Sequence, residues 1–176
     1  MITCYIGLGG NIANALGTPR QHIANAIAAF YASPHFANVT ASSLYQSKAF
    51  GVTDQPDFFN AVVKVDTDLA PLALLDFCQS LESAAKRTRL RHWGERSLDV
   101  DVLLYGDDTI KNARLTVPHE GLFARNFVLI PMLELDPTLM VNGQKLADLP
   151  TSQQWQGLEK LTVVYPISVN MDFCKN

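Results

Sequence analysis

Residues 58–66 alternate between two faces, and this alternation restricts the fold more than any other feature of the chain. Side chains 59, 61, 63 and 65 are all apolar, whereas the opposite face mixes apolar side chains with Asn60 and Lys64. Successive residues of a β-strand point to opposite sides of a sheet, so the pattern predicts a strand. Such a strand needs partner strands elsewhere in the chain.

Five further segments supply strands and helices around this one. Short runs bounded by glycine or polar turns predict strands at residues 2–8, 39–45 and 98–105. Apolar residues at helical spacing predict helices at residues 19–31 and 71–85, each opened by a proline. The order strand, helix, strand, strand, helix, strand favours an α+β protein, a ferredoxin-like sandwich with an antiparallel sheet and helices packed on one face.

Local signals add detail to the helices and to the C-terminal part. Thr18 precedes Pro19 as the expected N-cap of the first helix. A short helix at residues 127–135 and a hairpin turn at Asn142 and Gly143 are expected further along. The second helix carries an apolar stripe formed by Leu72, Leu75, Cys78, Leu81 and Ala85.

Length and composition predict one globular domain over residues 1–176. Apolar residues make up 48% of the chain and charged residues 18%, which is enough to bury a core and argues against disorder. The sequence has no run of the roughly 20 apolar residues that a membrane helix needs, no secretory signal and only three widely spaced cysteines. We expect a monomer in the cytoplasm. A net charge of −3 argues against general binding to nucleic acid or to an anionic membrane.

Positive charge is nevertheless concentrated in one stretch of this acidic chain. Five of its 14 lysines and arginines are Lys86, Arg87, Arg89, Arg91 and Arg96. Cations near the C-terminus of a helix complement its dipole and need no ligand. For the basic stretch alone, a solvated helix end and a ligand site therefore both remain open.

Two carboxylates in the next predicted strand favour a ligand site. Asp99 and Asp101 fall on one face of residues 98–105, while Leu98, Val100 and Val102 fall on the core face. The carboxylates could face water or pair with the nearby arginines. Adjacent carboxylates repel each other, and Mg²⁺ commonly binds one or two of them together with substrate phosphates. Arginines beside such a pair indicate a site for Mg²⁺ and a polyphosphate.

Residues 87–101, RTRLRHWGERSLDVD, resemble the signature of a known enzyme family. The signature belongs to the 6-hydroxymethyl-7,8-dihydropterin pyrophosphokinases, enzymes of folate biosynthesis. Three further stretches resemble this family in order and spacing: GGN at residues 9–11, DQPDFFN at 54–60 and RLTVPH at 114–119. The resemblance covers residues 2 to about 146, and the stretch 151–176 matches least.

The resemblance implies a fold, a reaction and a set of ligands. The family fold is the ferredoxin-like sandwich expected above. Its enzymes, the 2-amino-4-hydroxy-6-hydroxymethyldihydropteridine diphosphokinases, transfer a pyrophosphoryl group from ATP to the hydroxymethyl oxygen of the pterin and release AMP. Two Mg²⁺ ions act with ATP. The implied partners are therefore ATP and 6-hydroxymethyl-7,8-dihydropterin.

Roles for individual residues also follow from the resemblance. Asp99 and Asp101 match the metal ligands, and Arg87 and Arg96 match the catalytic arginines. The family positions that hold ATP correspond to Gln79, Glu82, Arg114, Thr116 and His119. The pterin pocket corresponds to Ser47, Lys48, Phe50, Phe58, Asn60, Trp93 and Phe127.

Four positions depart from the family pattern. The family commonly has serine at the position of Gly10, tyrosine at Phe58, glycine at Lys86 and proline at Glu95. None of these departures removes a metal ligand or a catalytic arginine. They leave a second interpretation open, a weakly active paralogue that binds nucleotide or pterin in a regulatory role.

Two other classes of binding site are disfavoured. Gly7 and Gly9 superficially resemble a dinucleotide fingerprint, but its third glycine and its closing acidic residue are missing. Ferredoxin-like sheets that bind RNA present stacking aromatic residues. Here the strand at residues 98–105 presents Asp99 and Asp101, which repel phosphate unless a metal intervenes.

Overall fold

A six-stranded antiparallel sheet forms the centre of the protein. The computed structural model describes residues 1–48, 54–86 and 96–161. The three helices are α1 (Pro19–Ala32), α2 (Pro71–Ala84) and α3 (Asn126–Leu135). In chain order the strands are β1 (Ile2–Gly10), β2 (Phe36–Ala41), β3 (Leu44–Ser47), β4 (Phe58–Thr67), β5 (Asp99–Tyr105), β6 (Ile110–Lys111), β7 (Thr116–Val117), β8 (Met140–Val141), β9 (Gln144–Lys145) and β10 (Leu158–Leu161).

The strand order follows from the antiparallel pairings of β4 and β1. The main sheet runs β10, β3, β4, β1, β5, and β2 pairs with the other end of β4. Two small hairpins, β6 with β7 and β8 with β9, lie outside it. The second turns at Asn142 and Gly143, as the sequence predicts. In the described parts of the chain, none of the helices combines the length and apolarity that crossing a bilayer requires.

The two faces of the sheet carry separate hydrophobic cores. Helices α1 and α2 cover one face, where Ile6, Val63 and Val102 pack in the larger core. The predicted ferredoxin-like sandwich with helices on one face is therefore confirmed for these two helices. Helix α3 adds a layer on the opposite face, where it packs against Val62 and Leu103. The functional side of the sheet is this second face.

The predicted strand at residues 39–45 is two strands, with a break at Ser42 and Ser43. The side chain of Ser42 accepts a hydrogen bond from the backbone N–H of Val62 at 2.9 Å, so this N–H of β4 bonds to a side chain and not to a backbone carbonyl of the neighbouring strand. The backbone N–H of Ser43 donates to the Glu134 carboxylate at 3.1 Å instead of continuing the ladder. These side-chain bonds turn the chain, so β2 and β3 pair with different halves of β4.

The two helices of the first layer begin as the sequence predicts. Thr18 Oγ1 accepts from the N–H of Gln21, and Gln21 Oε1 accepts from the N–H of Thr18, which forms a capping box. The predicted apolar stripe of α2 is confirmed at Leu75, Cys78, Leu81 and Ala85, which are buried in the core or pack against it. It is wrong at Leu72, which is 40% exposed, because Leu74 is the fully buried residue of the first turn. Positions 74, 78, 81 and 85 follow the helical spacing of four, three and four.

A β-bulge in β5 places two consecutive residues, Leu103 and Leu104, on the face of the sheet that α3 covers. Ile6 pairs with Val102 and Tyr5 with Leu104, so Leu103 is the extra residue. Both Leu103 and Leu104 therefore contact the α3 core, while Val102 remains in the α1 and α2 core. The outer edge of β5, which pairs with no further strand of the main sheet among the described residues, also has hydrogen-bond partners. The N–H of Val100 donates to Glu82 Oε1 at 2.9 Å, and Leu103 O accepts from the N–H of His119 at 3.0 Å.

Candidate active site

A cleft on the α3 side of the sheet brings most of the predicted site residues together. The space between its walls, open solvent included, is about 760 Å³. Residues of β1, β4 and β5 form its floor, and the start of α3 forms one wall. The predicted site residues that line it are Ser47, Lys48, Phe58, Asn60, Arg96, Asp99, Asp101, His119 and Phe127.

The two carboxylates predicted to bind metal stand on the same face of β5. Asp99 pairs with Gly9 of β1, and Asp101 pairs with Gly7. Because both partners are glycines, no side chain of β1 covers the carboxylates. Asp99 is buried and Asp101 is half-buried. Desolvation and the charge of Asp99 raise the pKa of Asp101, so a bound cation would relieve a real electrostatic cost.

His119 faces this carboxylate pair in a defined tautomer. Its Nδ1 accepts a hydrogen bond from the backbone N–H of Gly121 at 3.0 Å. In a neutral imidazole the proton then lies on Nε2, which is 4.0 Å from Asp101 Oδ2. His119 therefore presents an N–H donor toward Asp101.

Arg96 connects the carboxylates to the aromatic part of the cleft. Its Nη1 contacts Asp99 Oδ2, and its guanidinium carbon lies 5.1 Å from the centre of the Phe58 ring. Asn11 fixes the backbone of Arg96, because Asn11 Oδ1 accepts from the N–H of Arg96 and the N–H of Asn11 donates to Arg96 O, both at 2.9 Å. Asn11 Nδ2 also donates to Gln55 Oε1 at 2.8 Å. The turn after β1 thus positions the predicted catalytic arginine.

The departure from serine at position 10 has a steric reason in this chain. A Cβ atom built on Gly10 would overlap the backbone carbonyl oxygen of Ser97. Ser97 follows Arg96 directly and is fully buried. Glycine at position 10 therefore lets the turn after β1 approach the segment that carries Arg96.

An amide and two aromatic rings also line the cleft. Asn60 is 8% exposed, and its Nδ2 donates to Ser47 Oγ at 3.0 Å. Phe58, Phe127 and the stem of Lys48 line the same space. An amide flanked by rings can bind the hydrogen-bonding edge of a flat heterocycle while the rings contact its faces.

Arg125 is a cleft residue that the sequence analysis missed. Its guanidinium carbon lies 5.9 Å from the centre of the Phe127 ring. Its positive charge also lowers the pKa of Asp101, against the larger effects of desolvation and Asp99. The one available signal was an arginine two positions before the expected pocket residue Phe127.

The remaining predicted nucleotide-binding residues lie outside the cleft: Gln79, Glu82, Arg114 and Thr116. Arg114 Nη2 donates to Asp76 Oδ1 at 2.6 Å and to Gln79 Oε1 at 3.2 Å. Glu82 accepts from the N–H of Val100 and so supports β5. Their predicted contacts with ATP stay predictions. Arg87, Phe50 and Trp93 lie outside the described residues, and their roles likewise stay predictions.

Comparison with known proteins supplies the family. The family model described as 7,8-dihydro-6-hydroxymethylpterin-pyrophosphokinase (HPPK) matches residues 5–137. The chain belongs to this family. The HPPK membership confirms the family resemblance and the predicted enzyme class, a pyrophosphokinase of folate biosynthesis.

Two bacterial relatives resemble the chain over most of their length. Both are named 2-amino-4-hydroxy-6-hydroxymethyldihydropteridine pyrophosphokinase. The Haemophilus influenzae protein is 46% identical over 150 residues, covering 85% of this chain and 91% of the relative. The Pseudomonas aeruginosa protein is 42% identical over 158 residues, covering 89% and 95%.

A solved structure supports the fold. The crystal structure of wild-type Plasmodium falciparum HPPK-DHPS with SDX-DHP matches with a TM-score of 0.65 at 14% identity. The match covers 93% of this chain and 48% of that chain, so the chain spans about half the length of that protein. At this identity the likeness shows the fold alone.

Proposed function

We propose that the protein transfers a pyrophosphoryl group from ATP to the hydroxymethyl oxygen of 6-hydroxymethyl-7,8-dihydropterin. The new bond joins that oxygen to the β-phosphorus, and the bond between the β-phosphorus and the bridging oxygen of the AMP portion breaks. AMP leaves, and the hydroxyl proton passes to solvent. The observation that carries the proposal is the cleft itself, which brings Asp99, Asp101 and Arg96 together with Asn60, Phe58 and Phe127.

The carboxylate pair fits a magnesium site. Asp99 and Asp101 provide oxygen ligands, which Mg²⁺ prefers, and desolvation followed by the charge of Asp99 raises the pKa of Asp101, an effect that a bound cation would oppose. Within residues 1–48, 54–86 and 96–161, no group of three or more acidic, histidine or cysteine side chains forms a complete cage. Phosphate oxygens and water would therefore complete the coordination. When bound with ATP, two Mg²⁺ ions would neutralise charge on the triphosphate.

Positive and hydrogen-bonding side chains would act on the same phosphates. Arg96 is positioned by Asn11 and reaches the carboxylates, so it can stabilise negative charge as the bridging bond breaks. His119 can donate from Nε2 to a phosphate oxygen held near Asp101. Arg87 is proposed to share the role of Arg96 on the grounds of the family signature.

The amide and the aromatic rings would orient the acceptor. Asn60 offers an acceptor and a donor to the edge of the pterin, and Phe58 and Phe127 contact its faces. Binding both substrates in one cleft holds the hydroxymethyl oxygen beside the phosphate and removes most of the entropic cost of their encounter. We further propose that the chain acts as one domain and as a monomer in the cytoplasm, without nucleic acid or membrane partners.

The proposal is tested by incubating the protein with ATP, Mg²⁺ and 6-hydroxymethyl-7,8-dihydropterin and by following AMP and the pterin diphosphate. We expect both products in equal amounts, and no AMP when the pterin is left out. Asp99→Asn and Asp101→Asn serve as matched inactive controls. Binding of both substrates without AMP would instead support the regulatory paralogue, and binding of neither would refute the proposal.

A further inference from the structure

The segment at residues 154–158, for which the sequence suggests no role, connects two walls of the cleft. It lies just before and at the start of β10, which pairs with β3 along its whole length. The pairing continues one residue past β3, because the N–H of Lys48 donates to Gly157 O at 3.1 Å. Ser47, which pairs with Leu158, also lines the cleft.

The same segment is tied to the start of α3. Asn126 Nδ2 donates to Gln154 O at 2.7 Å and to Gln156 O at 3.4 Å. Asn126 lies between the two cleft residues Arg125 and Phe127. Its amide therefore joins the aromatic wall of the cleft to the backbone that holds Lys48.

Packing reinforces this connection. Leu158 is buried with Tyr45 and Ile130, and the Phe127 ring packs against this small cluster. Helix α3 and β3 are connected a second time near the C-terminal end of α3, where Glu134 accepts from Ser43 Oγ and Tyr45 OH at 2.5 and 2.6 Å. The two elements are thus joined at both ends, and residues 154–158 form the joint on the cleft side.

We propose that Asn126 is a positioning residue for the acceptor substrate, acting through residues 154–158 on Phe127 and Lys48. Asn126 does not line the cleft itself. The role rests on the proposed function, since the ligand it serves is the flat heterocycle expected between Phe127 and Asn60. Asp99 and Asp101 lie on β5, which β4 and β1 separate from β3 in the sheet.

The deciding experiment compares Asn126→Ala with Ser43→Ala. Each change removes one side-chain connection between α3 and the β3 region, but only the first lies on the cleft side. We expect Asn126→Ala to weaken binding of 6-hydroxymethyl-7,8-dihydropterin about five- to tenfold in calorimetry, because Phe127 and Lys48 lose the connection that holds them in place. Binding of a non-hydrolysable ATP analogue with Mg²⁺ should stay within about twofold. Ser43→Ala should change neither affinity, although it lowers the melting temperature.

Gly157 offers a second, independent variant. Its φ of +74° suits glycine or asparagine but strains a β-branched residue. Gly157→Val should therefore weaken pterin binding as Asn126→Ala does, and Gly157→Asn should retain it. Equal loss of pterin and nucleotide affinity in Asn126→Ala, or wild-type pterin affinity in both Asn126→Ala and Gly157→Val, would overturn the inference. A wild-type protein that binds pterin and forms AMP keeps the proposed function even when the variants overturn the role of Asn126. A wild-type protein that neither binds pterin nor forms AMP refutes both the proposed function and the role of Asn126.

Discussion

The backbone of Gly9 lies directly against the side chain of Asn60, so that a Cβ atom at position 9 would stand 2.7 Å from Asn60 Oδ1. The two residues also pair across β1 and β4. Asn60 cannot simply move aside, because it is buried and its Nδ2 is bonded to Ser47. The absence of a side chain on β1 therefore sets the position of the amide that is proposed to bind the pterin.

Gly9→Ala should accordingly weaken pterin binding. Moving Asn60 costs about one hydrogen bond to the ligand, so we expect KM for the pterin to rise roughly tenfold. KM for ATP should change little. Gly7→Ala is the comparison on the same face of the same strand: its Cβ would meet Leu103 at 3.4 Å, an ordinary contact, so KM for the pterin should stay unchanged, although a methyl group beside Asp101 should lower kcat. Steady-state kinetics of both variants check this, and equal effects would contradict it.

A second glycine, Gly121, contacts the side chains of Arg125 and His119. A Cβ on Gly121 would lie 2.6 Å from the guanidinium carbon of Arg125, a flexible group that can move away. Gly121→Ala should therefore leave the melting temperature nearly unchanged while it displaces Arg125 from the cleft. The bond from the N–H of residue 121 to His119 is a backbone bond and should persist. We expect kcat/KM to fall to a similar extent as in Arg125→Ala; full activity would argue that Arg125 has no role.

Regular periodicity explains why much of this fold could be predicted. The alternation in β4 separates Val63, which packs under α1 and α2, from Val62, which packs under α3. The same period of two places Asp99 and Asp101 together, away from the core. These features depend only on neighbours in sequence.

Features that depend on distant residues could not be predicted in this way. The break between β2 and β3 requires Glu134, which lies 91 positions after Ser43. The entry of Arg125 into the cleft requires the open space above Gly121, and the layer of α3 requires the bulge at Leu103. None of these contacts leaves a periodic signal, because each is a single tertiary contact.

Buried His22 should make the stability of the protein sensitive to acid. His22 is 3% exposed in α1, and its Nε2 lies 2.9 Å from Asn14 Oδ1. Burial lowers the pKa of His22 below 6.5, so below that pH the unfolded state binds more protons than the folded state. The free energy of unfolding should fall as the pH drops from about 6.5, by at most about 1.4 kcal/mol per pH unit for this one group. Urea titrations of the wild type and His22→Gln from pH 7 to 5 should show a smaller slope in the variant, and an unchanged slope would contradict this origin.

Replacing the Asp101 carboxylate should raise the stability of the metal-free protein and lower its activity. The raised pKa of Asp101 means that its ionised form destabilises the metal-free protein, and this cost grows as the pH rises through the raised pKa. Asp101→Asn should therefore raise the melting temperature without metal at neutral pH, while it lowers kcat at least about a hundredfold. Asp107→Asn, an exposed position just after β5, is the control and should change neither. A lower melting temperature for Asp101→Asn would show that the carboxylate has a stabilising partner instead.

Arg96 should compete with the metal before the substrates bind and act on the phosphates afterwards. Its Nη1 contacts Oδ2 of Asp99, a residue that would hold Mg²⁺, and its positive charge repels a cation. Arg96→Ala should therefore bind Mg²⁺ or Mn²⁺ up to about tenfold more tightly in the absence of nucleotide, since one charged hydrogen bond no longer competes.

The same variant should be slow in catalysis. Charge on the bridging oxygen grows only as its bond to phosphorus breaks, so a cation aimed at it stabilises the transition state more than bound ATP. We expect kcat to fall by about a hundredfold or more while the affinity for the ATP analogue changes severalfold at most. Arg96→Lys keeps the charge but loses the planar fork, and should recover part of the rate. Calorimetry with Mn²⁺ checks the expected gain in metal affinity, and single-turnover measurements check the expected loss of rate. Weaker metal binding together with unchanged kcat would contradict both, because Arg96 would then support the carboxylates and take no part in the transfer.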